Sequence, residues 1–443
     1  MNRLFSALLL PGLLVAGINV SFGQLIVREP SDIDSAILAS LTLGRAQDMV
    51  LSNNRDIAIA RGVLNQASAD VKVASQRPNP QLGLLMQNYN PSTGVGSGNV
   101  FRKTIDSAIR IDQAIERGGK YELRVEASKG FATAATDDVT DVIRQVKTDL
   151  GLAYYELLAA QERFSNAQDT TQLYARTIEA AELRRRAGDL AGSEAARVQV
   201  DALRAFNDEK SAQADLSRAQ IVVATLIGAQ SQAQLIRAVS PWAPIAEDKQ
   251  TININAIVQN RADVRAAIKR VAATERLHDL ARALNTRDVS VGVQIDHYPL
   301  GGTSVASNSN SLGVYLSVPL FVRHRNEGTI ARAEADVDAA RLLQSKIQVA
   351  AYAEVASIQT SLVAAQQRQI RFESELLPQA KRGAASAEFA FKNGALGVMD
   401  LLDSRRTLKQ IQSEATQARA EYAKALFAWK INTTNGAADE TTN

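Results

Sequence analysis

The sequence predicts one structural unit built twice, each copy joining a β-hairpin to a very long helical hairpin. Three observations predict it: an internal repeat, a helical pattern of extreme length, and four short stretches that alternate apolar and polar residues. The repeat comes first because it orders the rest. "SNNRDIAIARGVL" (52–64) aligns with "QNRADVRAAIKRV" (259–271), and "ERGGKYELRVEA" (116–127) takes the place of "VRHRNEGTIARAEA" (322–335). "RAGDLAGSEAARVQVDAL" (186–203) returns as "KNGALGVMDLLDSRRTL" (392–408). The offset stays at about 206 residues throughout, the mark of a tandem duplication.

No proline occurs between Pro91 and Pro241. Within that gap, Lys120 to Ala187 carries apolar residues at Val139, Val142, Val146, Leu150, Tyr154, Leu157, Phe164, Leu173 and Ile178, mostly three or four apart. That spacing predicts a single helix with one apolar stripe. It would run ~100 Å, longer than an ordinary globular domain can house, so a coiled-coil or α-barrel arrangement is expected. Gly188 ends the pattern, and a returning helix is expected to reach about Gly228. Few aromatics and abundant alanine favour helices packed through small side chains.

Between the helices lie the strands. Residues 100–115 place Phe101, Ile105, Ile109, Ile111 and Ile115 on one face, with Arg102, Thr104, Asp106, Arg110 and Asp112 on the other. Residues 288–297 and 312–320 alternate in the same way, and residues 81–90 do so more weakly. Gly/Ser/Asn-rich loops join them into two hairpins. The apolar face meets either a soluble core or lipid. Strand length, the ionic face of 100–115 and the N-terminal signal favour a barrel in a membrane. Four strands cannot close a barrel, because open edges in hydrocarbon leave backbone groups unpaired. Several copies are then required, two giving a filled interior and three an open lumen.

The N-terminus "MNRLFSALLLPGLLVAGINVSFGQ" has a basic start, an apolar stretch and small residues before an expected cleavage after Gly23. The net charge of +3 is too weak to argue for nucleic acid. The chain has no cysteine, which excludes disulfides and thiol chemistry. His278, His297 and His324 lack ligand partners at helical spacing, "GGK" (118–120) lacks the rest of a phosphate loop, and no nucleophile elbow is present. Neither an enzyme nor a cofactor is expected. The boundaries read as 1–23 signal peptide, 24–230 first repeat, 231–250 linker, 251–434 second repeat and 435–443 disordered tail.

The two helix starts, "PNPQL" before the first strand, "VPLFVRHRNEGTIARAEADV" after the last, and both glycine tips together resemble the TolC family of outer-membrane efflux proteins. "ERGGKYELRVEASKG", "AYYELLAAQERF" and "RRRAGDLAGSEAARVQVDAL" are most similar to its cobalt-zinc-cadmium branch. The resemblance implies a mixed α and β membrane protein of a Gram-negative outer membrane. It would be a homotrimer with a twelve-stranded β-barrel in lipid and a long α-helical periplasmic barrel. The implied function is the exit duct of a tripartite efflux pump, working with a periplasmic adaptor and an inner-membrane resistance-nodulation-division pump. The implied cargo is divalent heavy-metal cations; a drug efflux or type I secretion system is the alternative.

The same resemblance gives the tips roles. Gly188, Asp189, Leu190 and Gly394, Ala395, Leu396 match the helix-turn-helix ends that dock on the adaptor. Asp400 and Asp403 match the carboxylates that ring the periplasmic mouth, sharing one helix face at i and i+3. The first copy keeps Glu194 at the position of Asp400 but has Arg197 at that of Asp403, and Arg197 could pair with an aspartate to latch the closed state. Leu396 departs from members that carry a basic residue there.

Overall fold

The computed structural model describes residues 34–87, 105–245, 253–298 and 309–433. Residues 1–33, 88–104 (with Phe101, Arg102 and Thr104), 246–252, 299–308 and 434–443 lie outside the described residues, and with them the expected signal segment, both expected strand loops, part of the linker and the tail.

Each repeat opens on short helices. In the first these are α1 (Ser35–Leu38), α2 (Leu43–Asn53) and α3 (Arg55–Ala74), followed by β1 (Gln81–Gln87) and β2 (Asp106–Ile115). The long hairpin is α4 (Lys120–Ala187) and α5 (Gly192–Ile227), the span read from the sequence. The second repeat runs α6 (Ile254–Asn260), α7 (Ala262–Ala283), β3 (Val289–Tyr298), β4 (Ser309–Ser317), α8 (Glu327–Arg371), α9 (Leu377–Lys392) and α10 (Val398–Thr433). A π-turn at Phe372–Leu376 links α8 to α9, where Pro378 cannot donate to the preceding turn.

The duplication is visible in matched backbone devices. Gly119 and Asn326 each take a left-handed conformation (φ 71° and 60°) to turn the chain from a strand into a long helix. Gly188 and Gly394 do the same at the tips (φ 84° and 75°). Lys120, buried beside Gly119, reaches across the duplication: its ammonium donates to Asp288 Oδ1 and to the Thr286 carbonyl, both at 2.8 Å. Asp288, placed in a strand by its alternation, instead lies just before β3 and serves this clamp.

In the helical layer α5 packs on α4, α4 on α10, and α10 on α8 and α9. Of the α4 stripe, Val146, Leu150, Tyr154 and Leu157 are buried and Val139, Val142, Phe164 and Ile178 half-buried, while Tyr174 is buried where Leu173 was expected. Small residues let the helices approach. A Cβ on Gly151 would fall 2.0 Å from the Phe427 ring, so only glycine lets α10 lie this close to α4. The largest apolar cluster joins α2, α4, α5 and the segment after α5, where Ile236 and Ala238 are buried. Tyr154, fully buried, donates to the Leu41 carbonyl at 2.8 Å and bonds the Ser240 hydroxyl at 2.8 Å.

The matched helix starts are tied to the last helix of their own repeat. Asn54 caps α3 and donates to the Leu226 carbonyl at 3.2 Å. Its counterpart Arg261, 4 % exposed in its side chain, donates to Asp263, Glu354 and Asn432. Burial alone would raise the Asp263 carboxyl, but the Arg261 guanidinium holds it below its ordinary value. Arg261→Met is therefore expected to cost about 2–3 kcal/mol, at or below the lower end for a broken buried pair because Glu354 and Asp263 keep water contact. A lowered carboxyl stabilises the fold above its unfolded value (~4) and stops doing so as pH falls through its folded value. Denaturation midpoints at neutral pH and in acid check both points: the variant's deficit should shrink in acid.

Candidate functional site

The four strands form one antiparallel sheet in the order β1-β2-β3-β4. Its register aligns the apolar residues in rows. Leu84, Ile109, Ile295 and Leu312 form one row, and Leu82, Ile111, Val293 and Val314 the next. All eight are exposed, from 48 % at Val293 to 77 % at Val314. On the opposite face the two central strands are sheltered, with Ala108, Gln294 and Asp296 buried, while β1 stays exposed, Leu85 at 49 %. On it Arg110 pairs with Asp112 at 2.8 Å, and Asp296 accepts from Gln294 at 2.5 Å and from Ser311 at 3.3 Å. An apolar face turned outward and a hydrogen-bonded polar face turned inward is the reverse of a soluble sandwich. The ladder of β4 begins at Ser309 and stops before Pro319, which has no N–H to give it.

At the far end of the long helices, both tips close by the same hydrogen bonds. Asp189 N donates to the Arg184 carbonyl and Ala395 N to the Ala390 carbonyl, each at 2.9 Å, on either side of a left-handed glycine. No Cβ at Gly188 or Gly394 would meet a neighbour, so backbone conformation rather than crowding requires glycine there. Asp189 and Ala395 are exposed, and Leu190 and Leu396 half-buried. Leu190 packs on the tip core of Tyr174, Val198, Val398 and Leu402.

The carboxylates lie as follows. Asp400 and Asp403 are exposed on the first turns of α10, Asp403 at 66 %. Glu194 reaches back to Ala191 N at 3.3 Å and so caps α5. Arg197 is exposed on α5, in the groove that Val200, Asp201, Met399 and Arg406 also line. Within the protomer Arg406, rather than Arg197, pairs with Asp403. Arg406 donates to Asp403 at 2.9 Å and to Asp201, only 5 % exposed, at 2.5 Å. The Asp201 bond holds the Arg406 guanidinium above its ordinary value. Arg405 donates to Thr177 of α4 at 2.9 Å. Sequence reading missed Asp201, Arg405 and Arg406. The available signal was the basic pair two and three residues after Asp403.

A sheet with lipid-compatible and water-compatible faces, carried on helices of this length, defines a membrane channel with a long helical extension. The family model described as outer membrane efflux protein matches residues 47–229 and 253–428, and the chain belongs to that family. It is an outer-membrane efflux channel with a large periplasmic helical part. A relative is the cobalt-zinc-cadmium resistance protein CzcC of Cupriavidus metallidurans, 26 % identical over 84 % of each chain. Another is the pyoverdine export outer membrane protein OpmQ of Pseudomonas putida, 23 % identical over 87 % of this chain and 84 % of that one. Among solved structures, the outer membrane protein VceC of Vibrio cholerae has the same fold, with a TM-score of 0.70 at 19 % identity, covering 89 % of this chain and 96 % of that one. The family and fold are those of channels rather than enzymes.

Two measurements check the geometry. Cysteines placed singly along residues 106–115 should label with a membrane-impermeant thiol reagent at every second position, at 110 and 112 but not at 109 and 111. Arg at Ile111 should cost roughly 2–4 kcal/mol, as for a cation at the lipid midplane. At the tip, Arg406→Ala leaves the buried Asp201 with only the more distant Arg204, at 3.8 Å. Hydrogen exchange of the α4–α5 and α9–α10 turns should then quicken about tenfold, while exchange in the sheet stays unchanged.

Proposed function

We propose that the chain closes as a homotrimer and serves as the exit duct of a tripartite efflux pump for divalent heavy-metal cations. The sheet's unpaired edges, on β1 and β4, support the closure. The helical layer is unfinished in the same sense. Val200, Leu203, Phe206, Ile221 and Val222 on α5, at one edge, are exposed, as are Leu342, Leu343, Val349, Tyr352, Val363 and Ile370 on α8 at the other. A head-to-tail contact between copies that closes into a ring covers both edges at once. Two copies would give eight strands and a side-chain-filled interior; three give twelve and a lumen that suits the polar inner face.

Energy has to come from outside, because the chain offers no nucleotide loop. We therefore assign an inner-membrane resistance-nodulation-division pump and a periplasmic adaptor as partners, the adaptor docking at Gly188, Asp189, Leu190 and Gly394, Ala395, Leu396. In this reading three copies bring Asp400 and Asp403 together around the periplasmic mouth, where mutual repulsion and attraction for cations are strongest. Arg197 and Glu194 line the same end, and Arg406 tethers Asp403 to α5. The cargo assignment rests on one observation, the likeness along most of the chain to a cobalt-zinc-cadmium resistance protein.

A strain lacking the protein should lose resistance to zinc, cobalt or cadmium and regain it with the wild-type chain. Leu396→Asp should assemble normally yet fail to restore it. Sensitivity to organic compounds with unchanged metal resistance would move the cargo to the class suggested by the pyoverdine export relative. In planar bilayers, Asp400→Asn with Asp403→Asn should weaken block by multivalent cations added on the helix side and lower cation preference. Unchanged conductance, block and selectivity would contradict the gate.

A further inference from the structure

The sheltered face of the sheet holds a charge pair that the efflux reading does not use. Arg110 on β2 is fixed twice: its guanidinium carbon lies 4.3 Å from the centre of the Tyr315 ring, and its Nε donates to Asp112 Oδ1 at 2.9 Å. Asp112, Gly292 and Tyr315 form one row across β2, β3 and β4. Gly292 makes this possible, because a Cβ there would sit 2.2 Å from Asp112 Oδ1. The missing side chain lets aspartate and guanidinium lie flat against the wall and leaves the tyrosine ring as a platform. Neighbouring Asp296 is occupied by Gln294 and Ser311. The inward carboxylates at these two levels are thus held by groups of the wall itself.

We propose that Arg110 is a built-in counter-charge that keeps the Asp112 carboxylates of the β-barrel from trapping the multivalent cations that pass. The inference rests on the duct reading above. A ring of bare carboxylates facing a lumen with low-dielectric walls concentrates cations and slows their release. Pairing each carboxylate with a guanidinium fixed on an aromatic platform removes that trap while leaving the wall polar. The barrel then passes cations without holding them, and cation attraction is left to the periplasmic mouth. The role needs a permanent, laterally anchored cation, which arginine on Tyr315 supplies and a flexible lysine does not.

The two ends of the duct separate this role from that of the tip. Gln87, Asp106 and Tyr298 stand at one end of the sheet, the loop side, and all the long helices leave from the other end. Full-length protein in planar bilayers is therefore challenged with hexaamminecobalt(III) on the loop side and, separately, on the helix side. Arg110→Gln should lower the half-blocking concentration from the loop side by about tenfold or more, since it exposes one carboxylate per protomer. Block from the helix side should not change. Arg110→Gln with Asp112→Asn should return loop-side block to the wild-type value. The pair is partly open to water and adds little to folding, so all three variants should assemble. Loop-side block that is unchanged in Arg110→Gln, or stays strong in the double variant, would overturn the proposal. Loss of assembly in Arg110→Gln would make Arg110 a folding residue and overturn it too. Wild-type protein that forms no conducting channels would overturn the duct reading itself, and this proposal with it.

Discussion

An open four-stranded sheet with an apolar outer face is the constraint from which the rest of the molecule follows. Each unpaired backbone group at its edges costs several kcal/mol in hydrocarbon, so the sheet cannot stay alone in a membrane. Covering the edges demands more copies of the chain, and the register fixes what those copies enclose. Rows such as Leu84–Ile109–Ile295–Leu312 go outward and rows such as Asp112–Gly292–Tyr315 go inward. The helices continue that logic below the membrane. They emerge from one end of the sheet, and their layer also ends in apolar edges on α5 and α8.

Duplication supplies the parts, and departures from it supply the specialisation. Gly119 and Asn326 turn strands into helices in the same way, and Gly188 and Gly394 close the tips in the same way. Where the copies differ, the difference has a physical consequence. Asn54 caps a helix with a neutral amide, while Arg261 gathers Asp263, Glu354 and Asn432 into an ionic knot. Asp201 in the first copy and Arg406 in the second meet at the tip, so the pair needs both copies. Lys120 and Asp288 join the copies beside the sheet. Cross-copy ion pairs thus hold the two repeats together at both ends of the long helices.

Much of this was legible in the sequence because it depends on period and punctuation. The 68-residue helix α4 was bounded correctly, since nothing interrupts it before Gly188. The strand faces were legible because alternation survives whichever medium each face meets. What the sequence hid were contacts between residues far apart in the chain. Nothing local marks Asp201 as buried, or Gly292 as the space that Asp112 fills. Tyr174 took the place of Leu173 for a related reason: a 3.6-residue period drifts over so long a helix, and the neighbouring helix decides which side chain is covered. The roles given to Asp400, Asp403 and Arg197 came from resemblance, because exposed charges on a helix carry no signature of their own.

The central claim is that one chain supplies one third of a closed channel. The native mass of the detergent-extracted, outer-membrane-derived particle tests it most directly. The expected result is a particle of three protomers that resists dissociation until strongly heated, with its strands joined into a single barrel. A monomer stable in detergent, or a particle of two protomers, would contradict the account.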